Sequence, residues 1–469
     1  MLQLDKNQRT AVWDQVVARL EVYIAEVAAG RVSPRLDPQA VRTLLAPCDF
    51  TSPMDPAQAI GFAADALSQW QVHTPHPRYY GLFNPAPSTM GVAADALVAG
   101  FNPQLAAWSH SPFAVEVERH LVRAFAARFG YDPAQADGTF TSGGMEANHT
   151  AILTALTDKF PDFPHAGLRS LSRQPVFYVS AESHHSFLKT ARLCGLGMEC
   201  VRQIPVDRGL RMRCDALEDA IAEDLRRDFA PFCVAATAGT TNAGAIDPLP
   251  EISLIAARAG LWFHVDAAWG GAAVFVPELR SLLNGVERAD SITFDAHKWL
   301  SVPMGAGVYL TRHATILDRT FRVATSYMPK EAAGLDVVDP HLHSMQWSRR
   351  FTGLKVFLSL LVAGWEGYAE AIRHQTAMGA ALRGRLAAAG WEIDNRTPLP
   401  VVCFSRSDLK DDQLKAIALR VVASGEAWIS TTLLGGHKLV LRACITNFLT
   451  QESDLAALID SLARYQTAV

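Results

Sequence analysis

The 469-residue sequence predicts an α/β fold with a mostly parallel central sheet, a helical N-terminal arm and a small α+β C-terminal domain. Three observations predict it. Short unbroken apolar runs alternate with helical segments between residues 175 and 310, the pattern of strands buried on both faces. The stretch before residue 76 carries helical periodicity and no strand pattern. Beyond residue 345 strands and helices mix without regular alternation, as in α+β units.

Taken in order, residues 7–29 form an amphipathic helix, with Val12, Val16, Leu20, Tyr23 and Val27 at helical spacing and Gly30 as its stop. A proline-rich connector, residues 33–56, leads to a helix over 56–70. This arm, residues 1–80, buries little by itself and is expected to pack on a partner subunit or on the main domain. His76-Pro77-Arg78-Tyr79-Tyr80-Gly81-Leu82-Phe83-Asn84-Pro85 follows, either as a rigid pocket wall or as an aromatic plug between domains. The large α/β domain spans 81–345. It opens with a helix over 113–130, then Gly143 and Gly144 ahead of a helix running through Leu156. Strands over 176–179, 232–237, 261–266, 291–294 and 308–310 alternate with helices over 186–196, 216–229 and 249–259. The last domain, 346–469, holds two helices ending at Gly390, a strand over 401–404, a helix over 412–423, a hairpin turning at Gly435-Gly436 and a closing helix over 454–465.

Apolar residues make up 49% and charged residues 19%, as in globular chains. A net charge of −4 without a long basic run excludes a nucleic-acid binder by composition, although a local anion site needs no basic protein. The 7 cysteines show no Cys-x-x-Cys pair and no zinc-like spacing, so they are expected to be cytosolic thiols, with no metal site. No signal peptide and no membrane span are expected.

In an open α/β sheet, ligands bind beyond the carboxyl ends of the strands. Four features collect there. Ser291-Ile-Thr-Phe-Asp295-Ala-His297-Lys298 ends an apolar strand with a lysine, which either reaches solvent or condenses with a carbonyl cofactor as a Schiff base. Asp266 ends another apolar strand, where a carboxylate caps the next turn or pairs with a protonated ring nitrogen. His184, in Ser183-His184-His185-Ser186, either covers a flat ring or marks a helix entry. Gly143-Gly144-Met145 is a tight helix entry or an anion nest. Anion nest, nitrogen partner, ring cover and imine-forming lysine together meet the needs of pyridoxal 5′-phosphate.

These segments resemble the group II pyridoxal-phosphate-dependent amino-acid decarboxylases. The resemblance rests on His76-Pro77-Arg78-Tyr79-Tyr80, Thr141-Ser142-Gly143-Gly144-Met145-Glu146-Ala147-Asn148, Gly239-Thr240-Thr241, His264-Val265-Asp266-Ala267-Ala268, His297-Lys298-Trp299 and Arg349-Arg350-Phe351. It implies the pyridoxal-phosphate-dependent transferase fold type I and a homodimer with active sites at the interface. It implies removal of the α-carboxylate of an L-amino acid through a Lys298 Schiff base, giving an amine and CO2. By matching position, Gly143, Gly144, Met145, His184, Thr241, Asp266, Ala268, His297 and Lys298 are expected to hold the cofactor. Phe83, Asn84, Gln104 and Trp108 are expected to face the substrate, the last two from the partner subunit.

Two departures stand out. The loop tyrosine that family members usually offer as Cα proton donor falls here on Pro340, so His341 or His343 is expected to take the role. Without a donor, O2 would divert the reaction to an aldehyde, as in decarboxylating aldehyde synthases. Asp295 stands where the family often has asparagine, and is expected to pair with a donor such as His297. A non-catalytic cofactor-binding paralogue is a third reading, which the retained lysine, aspartate and histidine oppose.

Overall fold

Strand β5 (Trp262–Asp266) lies at the middle of a seven-stranded sheet, every one of its residues buried. The computed structural model describes residues 2–467 other than 324, 330 and 333. The sheet comprises β1 (Asp137–Thr141), β2 (Pro175–Ser180), β3 (Val201–Ile204), β4 (Ala230–Thr237), β5, β6 (Ser291–Asp295) and β7 (Gly307–Thr311). Its order is β1-β7-β6-β5-β4-β2-β3. Strands β3, β2, β4, β5 and β6 run parallel, while β7 is antiparallel to both β6 and β1. Residues such as Val234, Val265 and Ile292 are wholly buried because helices cover both faces, which is why the strands read as continuous apolar runs.

Parallel register brings the strand ends together. Thr237 pairs with Asp266, and Asp266 with Thr293, so the carboxyl ends of β4, β5 and β6 lie side by side. The antiparallel β7 follows from a short return through Gly305 and Gly307 rather than a helical crossover. Gly307 is obligatory there, because a Cβ would stand 2.7 Å from the Gly143 backbone.

A second sheet, ordered β10-β11-β9-β8, is formed by β8 (Glu392–Ile393), β9 (Val401–Ser405), β10 (Ser430–Leu434) and β11 (Lys438–Cys444). The two tail helices expected up to Gly390 are present within Gly353–Ala388, separated at Gly364, whose φ of 64° ordinary side chains resist. Tyr80 packs in the core of this second unit, whereas Phe83 packs in the core of the first. The Tyr80 amide donates to the Trp428 carbonyl at 2.9 Å, so the aromatic loop ties the two units together.

In the arm, the helix Lys6–Glu26 lies on the helix Pro56–Trp70, with Arg19 and Asp65 paired at 2.8 Å. None of its residues is buried, and Trp13, Val17 and Ile24 are 55%, 57% and 60% exposed. Among the described residues no helix is long and apolar enough to cross a membrane.

The helix Pro112–Phe129, strand β1 and the start of the long helix meet at one buried ion pair. Arg349 Nη2 donates to Glu118 Oε2 at 2.5 Å, and Gly353 N donates to Glu118 Oε1 at 3.0 Å. Burial pushes the Glu118 carboxyl up, and Arg349 opposes that shift. Removing one partner strands the other charge in the interior. Arg349→Ala is therefore expected to cost about 3–5 kcal/mol in urea unfolding, and adding Glu118→Gln to recover part of it.

Candidate active site

The convergent strand ends enclose a cavity of about 210 Å³ lined by Gly144, Met145, His184, Thr241, Asp266 and Lys298, among others. Each side chain arrives there for a local reason. Asp266 is the last residue of β5, and Lys298 lies on the single helical turn Ala296–Trp299 that follows β6. His184 precedes the helix Ser186–Leu193, and its Nδ1 accepts from the Ser186 amide at 3.2 Å. Gly144 opens the helix Gly144–Lys159. A Cβ on Gly144 would come within 2.8 Å of Asp295 Oδ2, so only glycine lets the helix end approach so closely.

Asp266 is 5% exposed and has two donors, Asn148 Nδ2 at 2.8 Å and the Ala268 amide at 3.1 Å. Asn148 is in turn gripped. Its Oδ1 accepts from Thr293 Oγ1 at 2.7 Å and lies 3.1 Å from His264 Nε2, while His264 Nδ1 lies 2.9 Å from Ser291 Oγ. Burial drives the His264 imidazole down to about 4. Burial also lowers His184 and His297, against the pull of nearby carboxylates.

Asp295 has moved partner relative to expectation. Its Oδ2 lies 3.0 Å from Lys298 Nζ and 3.9 Å from His297 Nε2. The helical turn after β6 causes this, because residues three apart share a helix side. Its Oδ1 is buried without a partner.

Gly144, Met145, His184, Thr241, Asp266, Ala268 and Lys298 all line the cavity. Gly143 and His297 stand behind it, 3.5 Å separating His297 Cε1 from a Cβ placed on Gly143. Phe83 stacks on Trp269 at 4.4 Å, with Lys298 Nζ 5.8 Å from its ring centre. Asn84 Oδ1 accepts from the Tyr79 hydroxyl at 3.2 Å.

Phe83 and Asn84 do not themselves line the cavity, and neither do Gln104, Trp108, His341 and His343. Gln104 reaches Ser348 Oγ at 3.5 Å, and Trp108 Nε1 donates to Glu116 at 3.0 Å. His341 is buried, with Nδ1 3.0 Å from the Ala106 carbonyl. His343 Nε2 lies 3.0 Å from Asp137 Oδ2.

Sequence reasoning assigned no role to Asn148, Trp269 or Arg442. Asn148 had a legible signal, a polar side chain one turn into the helix that follows two glycines. Trp269 lies between Phe83 and Trp299, stacking on Trp299 at 5.2 Å. Arg442 is buried, donates to the Thr241 and Gly81 carbonyls at 3.0 and 2.8 Å, and keeps Nη2 unpartnered beside Phe83.

The donor set fits pyridoxal 5′-phosphate. Buried Thr237 Oγ1 and Trp269 Nε1, on two lining residues, have no partner among the described residues, and the first amides of the Gly144–Lys159 helix have none inside the helix. Fold, cavity and the family match together define a pyridoxal-phosphate-dependent enzyme of fold type I.

Comparison places it more narrowly. The pyridoxal-dependent decarboxylase conserved domain matches residues 38–407. An aromatic-L-amino-acid decarboxylase of Bacillus atrophaeus is 30% identical over 456 residues, 95% of this chain and 93% of that one. An L-2,4-diaminobutyrate decarboxylase of Rhizobium meliloti (strain 1021) is 37% identical over 276 residues, 59% of this chain and 54% of that one. The crystal structure of Rhodiola rosea 4-hydroxyphenylacetaldehyde synthase superposes with a TM-score of 0.89 at 24% identity, covering 99% of each chain. The chain belongs to the pyridoxal-dependent decarboxylase family, and is a pyridoxal-phosphate-dependent carboxy-lyase.

The buried His264 gives the fold a defined acid response. Its folded value, about 4, lies below the ordinary 6.5, so between these values the unfolded chain binds the extra proton. Its stabilising contribution is complete above pH 6.5 and is lost as pH falls toward 4. His76, also lowered to about 4 by burial, acts in the same direction. Urea midpoints measured from pH 7 downward are expected to fall across this window, and less steeply in His264→Gln.

Proposed function

We propose that the chain decarboxylates an L-amino acid to an amine and CO2, with Lys298 as the residue that binds the cofactor covalently. The observation that carries this is the placement of Lys298, Asp266, His184 and the Gly144 helix end around one cavity. When bound, the cofactor accepts the electron pair released as the carboxylate leaves as CO2. Every other task falls to the chain. Asp266, kept a hydrogen-bond acceptor by Asn148 and the Ala268 amide, faces the ring nitrogen and favours its protonated form. His184 and Ala268 cover the two ring faces. Gly143, Gly144 and Met145 hold the phosphate through backbone amides at a helix N-terminus, with His297 behind them. Thr241 stands at the ring edge. Phe83 walls the substrate side, and the free Nη2 of Arg442 is the nearby group suited to a substrate carboxylate.

A homodimer with active sites at the interface accounts for the residues that miss this cavity. Segment 104–108 is bound to segment 339–349. Leu105 N donates to the Arg349 carbonyl at 3.1 Å, Trp108 N to Asp339 at 2.8 Å, and His341 N to the Ala106 carbonyl at 3.0 Å. Gln104, Trp108, His341 and His343 thus form one patch, positioned as a unit to complete a second copy's site. The exposed apolar side of the Lys6–Glu26 helix fits the same association.

Purified protein assayed against a panel of amino acids for CO2, amine and H2O2 tests the reaction. Amine and CO2 in equal amounts are expected, with no H2O2, and Lys298→Ala is expected to abolish turnover. Borohydride reduction and peptide mapping should place the cofactor label on Lys298. A label elsewhere would overturn the assignment.

The proton that replaces the carboxylate at Cα is assigned to His341 or His343, since Pro340 occupies the place of the usual donor. Each must leave its partner within the chain, Ala106 or Asp137, to deliver it. Replacing both by glutamine is expected to lower amine formation about 100-fold. Unchanged amine formation would refute the role. The second reading, an aldehyde synthase, is favoured by the same Pro340. Its outcome is O2 consumption, with H2O2 and ammonia released alongside CO2 and the aldehyde.

A further inference from the structure

The chain carries a carboxylate at its reactive lysine that the reading above leaves without a task. Asp295 is 1% exposed at the end of β6, and its side chain caps no backbone amide of the following turn. One oxygen lies 3.0 Å from Lys298 Nζ, and the other is buried without a partner. The same carboxylate lies against the first turn of the Gly144–Lys159 helix, 2.8 Å from where a Gly144 Cβ would be. A buried carboxylate beside a phosphate nest opposes the phosphate electrostatically.

We propose that Asp295 is the proton acceptor that activates Lys298 for attachment of the cofactor. The proposal rests on the assignment of Lys298. An ammonium has no lone pair with which to attack. Asp295 takes one proton from Lys298, and the freed nitrogen forms a C–N bond at the cofactor's aldehyde carbon. The carbonyl oxygen leaves as water, one of its protons coming from the attacking nitrogen and the other from the Asp295 carboxyl. The net change is lysine ammonium plus aldehyde to protonated C=N link plus water, with Asp295 again ionised. The same carboxylate serves in reverse when Lys298 is released.

The titratable groups facing Asp295 are Lys298 and His297 from its own turn and His184 across the cavity, which Asp266 also lines; Lys355, from the long helix, acts on His297. His297 and His184 are both lowered by burial, so neither is expected to change charge as pH rises above neutrality.

The test follows attachment rather than turnover. Full-length protein stripped of cofactor is mixed with pyridoxal 5′-phosphate, and formation of the link is followed by absorbance and by borohydride-trapped label across pH. Wild type is expected to take up cofactor at a rate nearly independent of pH around neutrality. Asp295→Asn is expected to be about 100-fold slower at pH 7 and to recover as pH rises, because solvent must then deprotonate Lys298. Added formate is expected to restore uptake in Asp295→Ala, which also carries the test if Asp295→Asn unfolds. Uptake by a folded Asp295→Asn at the wild-type rate, or faster, would overturn the proposal, as would a failure of formate to rescue. A wild-type label away from Lys298 would instead bring down the lysine assignment itself.

Discussion

The structure depends on how one buried carboxylate is supplied with hydrogen-bond donors. Asp266 sits at the end of a strand with no exposed residue, where an unpaired carboxylate is costly to bury. Two donors meet it, Asn148 and the Ala268 amide, and Asn148 is itself fixed by Thr293 and His264. The network joins three elements: the helix behind the glycine nest, strand β5 and strand β6. Each end of the cofactor site is therefore positioned by the same set of hydrogen bonds. Satisfied polar networks of this kind specify one arrangement of a core, because any partial rearrangement leaves a buried polar group unpaired.

The second constraint is the sheet itself. Parallel pairing of β4, β5 and β6 aligns Thr237, Asp266 and Thr293, so chemistry carried by distant sequence segments converges without any loop having to reach far. The antiparallel β7 returns immediately after Lys298 and seats Gly307 against Gly143. The lysine turn and the glycine pair are thereby held close, with the Asp295 and His297 side chains lying against Gly144 and Gly143.

A single chain nevertheless presents two separate surfaces. One is the cavity. The other is the patch in which segments 104–108 and 339–349 are joined by backbone hydrogen bonds. The proposed dimer assigns cofactor chemistry to the first surface and substrate contact and proton delivery to the second. The relatives it resembles are named for different substrates, aromatic amino acids in one and diaminobutyrate in another.

Much of this was readable in the chain. Strands β2, β4, β5, β6 and β7 are unbroken apolar runs, and an apolar run that ends in Asp266 or leads into Lys298 signals chemistry by the cost of burying a charge. Strands β1 and β3 are short and carry polar residues, so periodicity passed over them. The two tail helices were legible because each carries its own helical periodicity, and the structure separates them at Gly364. Asn148 and His264 were visible as residues but not as partners, since hydrogen bonds between positions 116 residues apart leave no local pattern. The amino-acid order alone determined the α/β class and pointed to the cofactor, because burial and charge conflict at the strand ends that carry Asp266 and Lys298. Tertiary structure decided who pairs with whom: that Asp295 meets Lys298 rather than His297, and that His341 and His343 lie away from their own chain's cavity. Such choices turn on differences of an ångström between competing partners, and only the packed chain sets distances that fine.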